Sequence, residues 1–173
     1  MLKYILLALL LPLTAQAGET AYLYGYFNKQ PQEVVGKGEY HKLFFHVYDA
    51  TLFSPDGTYD PKNVFALQLD YKMDLSGADI AEKSIDEMQK IKKIEAAKAA
   101  KWLAQMKAIF PDVKEGDFIV GINLVGKGAA FLKNGQKVGQ INDPQFAKEF
   151  FDIWLSPKTS DKGLRRELLG ESK

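Results

Sequence analysis

The chain has 173 residues, no cysteine, and 23 basic against 22 acidic side chains. Without cysteine, disulfides, thiol nucleophiles and cysteine metal ligands are excluded, so stability must come from an ordinary buried core, and the length suits a single domain. Nearly balanced charge leaves no overall field to gather nucleic acid or anionic lipid, and nucleic-acid binding is not expected.

Residues 1–17 combine Lys3, an apolar run over residues 4–13 and the small-residue pattern Ala15-Gln16-Ala17, the three parts of a cleavable secretory signal peptide. The run falls well short of the roughly twenty apolar residues that a membrane-spanning helix needs, and no later stretch comes closer. No cysteine stands at the cleavage point to carry a lipid. The expected product is a periplasmic domain over residues 18–173, with no stable membrane insertion after cleavage.

The alternate tyrosines Tyr22, Tyr24 and Tyr26 predict a strand, followed by a loop over residues 29–32 and glycine punctuation at Gly36 and Gly38. Residues 39–53 are rich in strand formers. Read as a regular strand, Leu43, Phe45 and Val47 share one face, while Tyr40, Lys42, His46 and Tyr48 share the other with Phe44. A turn at Ser54-Pro55-Asp56-Gly57 leads to a further strand over residues 64–73.

At Ser76 the period changes. A serine followed three residues later by Asp79 is a helix-start signal, and Ala81, Ile85, Met88 and Ile91 then recur at helical spacing. A second helix from about Glu95 carries Ala99, Leu103 and Met106 on one side and stops at Pro111. Strands return over residues 118–141, with Asn134-Gly135 supplying a tight hairpin turn. Asp143-Pro144 opens a third helix with Phe146, Phe150, Ile153 and Trp154 on one face, and a short helix over residues 161–169 closes the chain. Strands, then helices, then strands, then helices predict an α+β domain in which an antiparallel sheet is covered by a layer of helices, with a cleft between the layers.

Few residues suggest chemistry. On a regular strand the five-residue separation of His41 and His46 puts them on opposite faces, so no metal site is expected, and nothing in the sequence implies a cofactor. There is no Gly-x-Ser-x-Gly elbow, and Gly121, Gly126 and Gly128 lie between strands, where they open no helix as a phosphate loop would. The lysines between Lys90 and Lys107 could meet a membrane surface or an acidic partner in the cell envelope, but a solvated helix face is the expectation, because the run lacks the strongly apolar opposite face of a membrane-surface helix. The phenol, amine and imidazole groups of Tyr40, Lys42, His46 and Tyr48 suit the grip of an anionic head group beside aromatic surface. The same mixture suits the solvent side of an antiparallel sheet, and the residues alone do not choose between the two.

The order and spacing of Gly36-Lys37-Gly38-Glu39, of residues 47–53 (Val-Tyr-Asp-Ala-Thr-Leu-Phe), of Leu67-Gln68-Leu69-Asp70-Tyr71 running into Asp74-Leu75-Ser76-Gly77, and of residues 150–157 (Phe-Phe-Asp-Ile-Trp-Leu-Ser-Pro) resemble the bacterial chalcone isomerase-like proteins over nearly all of residues 18–173. The resemblance implies an open-faced β-sandwich of the chalcone isomerase type, an antiparallel sheet covered by helices with a ligand cleft between them. In the plant enzymes of that superfamily an arginine of the first hairpin, a threonine of the paired strand, and a tyrosine and an asparagine from a helix surround the flavonoid. Fatty-acid-binding relatives use a similar arginine and tyrosine to hold a carboxylate.

Aligned on the glycines, Tyr40 stands where the arginine is expected and the threonine position falls near His46. The only arginines are Arg165 and Arg166, and the last tyrosine is Tyr71, so the family's helical tyrosine has no counterpart. Neither tyrosine nor lysine reproduces the bidentate fork of arginine around an oxyanion, so chalcone cyclisation is not expected. The expectation is a non-catalytic binder of a small amphipathic molecule such as a fatty acid, with Tyr40, Lys42, His46 and Tyr48 as ligand-binding residues. The alternatives are an isomerase or lyase acting on a carbonyl compound, and an envelope protein-interaction module.

Overall fold

A computed structural model describes residues 21–171, so the expected signal peptide lies outside the described residues. Six strands form one antiparallel sheet in sequence order: β1 (Glu33–Lys42), β2 (Phe45–Ser54), β3 (Ala66–Tyr71), β4 (Phe118–Leu124), β5 (Gly128–Lys133) and β6 (Gln136–Ile141). Two helices, α1 (Gly77–Ile91) and α2 (Ala96–Ile109), are inserted between β3 and β4, and α3 (Pro144–Leu155) and α4 (Lys162–Leu168) follow β6. The expected α+β class and helix-covered antiparallel sheet are what the chain adopts.

The helix starts follow from their capping residues. Ser76 accepts a hydrogen bond from the Asp79 N–H at α1, and Asp143 accepts from the Gln145 and Phe146 N–H groups at α3, with Pro144 in the first turn. Asn134 and Gly135 both have positive φ, 49° and 80°, as the tight β5–β6 turn requires.

Alternation along the strands sorts the core into two layers. Ala50, Leu52, Leu67, Leu69, Ile119 and Phe131 face the helices, where Phe146, Phe150 and Trp154 of α3 pack on them. Phe53, Ala66, Val120, Ile122, Ala130 and Leu132 face the other way and are covered by Leu23 and Phe27. The strand predicted from the alternate tyrosines is absent. Residues 21–29 form a 3-10 turn and further turns instead, because Leu23 and Phe27, four residues apart, are the side chains that the sheet buries.

Gly36 and Gly38 do not interrupt the first strand; they lie inside β1. A methyl group on Gly36 would meet the carbonyl oxygens of Glu167 and Leu168, and one on Gly38 would meet the Leu164 and Glu167 side chains. Their missing side chains let α4 lie directly on β1, so the next residue on that face, Tyr40, is the first to reach beyond the helix.

The basic run is distributed over the outer surface. Lys107 pairs with Glu82, Lys98 donates to Gln145, and Lys92 donates to the buried carboxylate of Glu149 across 2.7 Å.

Candidate functional site

Residues 39–53 are not one strand. The chain reverses at Leu43-Phe44, with Leu43 at φ 56°, and returns as β2, so β1 and β2 form a hairpin. Tyr40 then stands opposite Tyr48, but the next pair is His41 with His46, which leaves Val47 as a bulge. The extra residue inverts the alternation. Phe45 moves to the helix side beside Lys42, and His46 moves to the outer side beside His41.

Between the sheet and helices α1, α3 and α4 lies a cavity of about 520 Å³, within the roughly 300–1,000 Å³ of small-molecule sites. Its floor includes Leu67, Leu69, Ile119 and Phe131, and its roof includes Ile80, Phe150 and Trp154. Gly121 lowers the floor, since it carries no side chain under Phe151. The wall is almost wholly apolar, which suits a hydrocarbon body.

Polar groups concentrate at the β1–β2 end. Tyr40, Lys42 and Tyr48 border the cavity; His46 does not. Tyr40, Tyr48 and Tyr71 are in direct register across three strands, with the first two rings stacked at 4.9 Å and the second pair edge to face at 6.0 Å. The Tyr48 oxygen accepts a hydrogen bond from the Trp154 indole N–H at 3.0 Å. That leaves its own proton to donate, and no acceptor takes it among the described residues. The buried Tyr71 also borders the cavity, and its hydroxyl has no hydrogen-bond partner among the described residues. Burial pushes both phenols well above the ordinary tyrosine range, so each stays a neutral donor.

Tyr71 is the residue that sequence reasoning missed. Its parity matches Leu67 and Leu69, the core-facing positions of β3, so a phenol at the end of that row necessarily enters the interior.

Lys83 and Glu87 of α1 also border the cavity. Glu87 accepts from Lys83 at 2.7 Å, Lys90 at 2.8 Å and Ser160 at 2.6 Å. Burial opposes ionisation of Glu87, but these three donors outweigh it and hold its pKa down at about 2. Lys83, Lys90 and Glu87 together carry one net positive charge, but Lys90 does not border the cavity, whereas the carboxylates of Asp79 and Asp161 do. Neither arginine borders the cavity; Arg165 is turned away, with its Nε donating to the Leu155 carbonyl.

The histidines meet on the outer face. Their rings stack at 4.5 Å and 11°, and His41 Nε2 and His46 Nε2 lie 3.0 Å from Glu39 and 2.7 Å from Asp49. The opposite-face placement expected for them is therefore overturned by the hairpin. Ligand-type atoms of Glu39, His41 and His46 lie within 4.8 Å of one another. Stacked rings direct their in-plane lone pairs side by side, however, and a shared ion would need those lone pairs to converge.

A family model described as chalcone isomerase-like matches residues 27–170. An uncharacterised protein of Haemophilus influenzae is 32% identical over 140 residues, covering 80% of this chain and 68% of the relative. Among solved structures, a fatty-acid binding protein of Arabidopsis thaliana superposes with a TM-score of 0.65, covering 81% of this chain and 87% of its own, at 12% identity. At that identity the likeness is one of fold.

Proposed function

The chain belongs to the chalcone isomerase-like family, and from that premise we propose that it is a periplasmic, non-catalytic binder of a fatty acid or similar amphipathic molecule. The observation that carries the reading is an apolar cavity of about 520 Å³ with two neutral phenols, Tyr48 and Tyr71, holding undonated protons at one end. A carboxylate head group accepts from both, with Tyr40, Lys42 and Lys83 beside it. The hydrocarbon chain runs between Ile119, Phe131 and Phe150. The fold shared with a fatty-acid binding protein supports this reading, and the signal-peptide pattern of residues 1–17 supports export.

The same groups disfavour catalysis. Phenols held neutral by burial do not serve as bases near neutral pH, and no guanidinium is at hand to stabilise an enolate or phenolate.

Native mass spectrometry of the protein purified from its own envelope tests the proposal. The expected spectrum shows added mass matching one lipid-like molecule, lost on delipidation and regained with palmitate. The bare polypeptide mass before and after palmitate contradicts it.

A further inference from the structure

The β1–β2 turn exposes three consecutive apolar side chains: Leu43 is 85% exposed, Phe44 98% and Phe45 64%. Leu43, the first residue of the turn, adopts a left-handed backbone that a branched side chain rarely takes. An uncovered apolar cluster of this kind marks a surface built to be covered.

Two observations identify the cover. Leu43 and Phe45 also border the cavity, whereas Phe44 does not, so the tip is the cavity's own rim and its apolar surface continues inward. Lys42, exposed and next to the tip, borders the same cavity and has no ion-pair partner among the described residues, whereas Lys83 is held by Glu87 and the acids Asp79 and Asp161 lie further round the lining. A protein groove closing over the tip would stop the mouth of the cavity. A lipid surface instead places its acyl chains against that mouth and its anionic head groups against the unpaired Lys42.

We propose that the Leu43-Phe44-Phe45 tip inserts into the surface of an anionic bilayer and that the cavity loads from it. The loading step rests on the fatty-acid reading above; the insertion does not. No helix among the described residues is long and apolar enough to cross a membrane, so the contact is peripheral.

The experiment uses vesicles of equal parts phosphatidylethanolamine and phosphatidylglycerol, with and without brominated acyl chains. The probe is Phe44→Trp, read against the wild-type signal of Trp102 and Trp154. Insertion moves the introduced indole's emission to the blue on vesicles, and brominated chains quench it. In the companion Phe44→Ser, the vesicle-bound fraction falls about tenfold and palmitate uptake from vesicles slows in proportion, while palmitate affinity in free solution is unchanged. Emission unaltered by vesicles overturns the proposal, and so does a blue shift that arises without vesicles alongside dimer formation, which assigns the tip to self-association. Insertion by a protein that fails to bind palmitate in solution leaves the docking surface standing and removes the carrier reading alone.

Discussion

The indole N–H of Trp154 donates to the phenol oxygen of Tyr48 across 3.0 Å, joining the end of α3 to the second strand of the sheet beside the cavity. One contact thereby does two things. It satisfies a buried indole donor, and it orients a phenol so that its remaining proton is free for something else.

Tyr48→Phe strands the Trp154 N–H in a buried position. The expected loss is about 1–2 kcal/mol of stability, seen as a fall in Tm of about 2–4 °C per kcal/mol for a chain of this size. Palmitate affinity falls in the same variant. Trp154→Phe removes the donor as well, but it leaves a cavity where the larger indole packed.

Tyr71→Phe behaves differently, because its hydroxyl bonds to nothing among the described residues. Stability stays within about 0.5 kcal/mol, while the palmitate Kd rises about five- to tenfold. Urea denaturation and calorimetric titration on the same preparation separate the two effects. A stability loss as large as that of Tyr48→Phe would show that the hydroxyl has a structural partner.

Gly36→Ala puts a methyl group against the carbonyl oxygens of Glu167 and Leu168, so α4 must lift from β1. The expected cost is about 1–3 kcal/mol, read from the urea midpoint. Ala at the open position Gly25 serves as the control.

Acid should weaken the fold through Glu87. Its pKa is lowered on folding from about 4.5 to about 2, so its contribution is complete above about pH 4.5 and is lost as the pH falls towards 2. Glu87→Gln removes this part of the pH dependence. The check is the difference between wild-type and variant stability, which should shrink between pH 5 and 2.

The helices and the last hairpin were legible because their signals are local: Ser76 with Asp79, Asp143 with Pro144, and Asn134 with Gly135 each mark an end by hydrogen bonding or by φ. The first hairpin was not. Its turn is Leu43-Phe44, two apolar residues with no turn chemistry, and the tip's exposure rather than its composition is what defines it. Strict alternation correctly put Tyr40, Lys42 and Tyr48 on one face, since Tyr40 pairs with Tyr48. It failed at His46 because the bulge at Val47 shifts the register by one, and a bulge of this kind leaves no mark on composition. Composition does not single out Tyr71 from the rest of its strand; only its parity with Leu67 and Leu69 places it inside.

A hydrocarbon chain seated between sheet and helices, with its carboxylate at Tyr48 and Tyr71, would be visible in the bound molecule itself. Nuclear magnetic resonance of palmitate carrying carbon-13 at the carboxyl and along the chain addresses it directly. One bound carboxyl signal is expected, with proton contacts from the chain to Ile119, Phe131 and Phe150 and from the head-group end to the Tyr48 and Tyr71 rings. A carboxyl signal that stays at its free position, or contacts confined to the exposed Leu43, Phe44 and Phe45 tip, would contradict it.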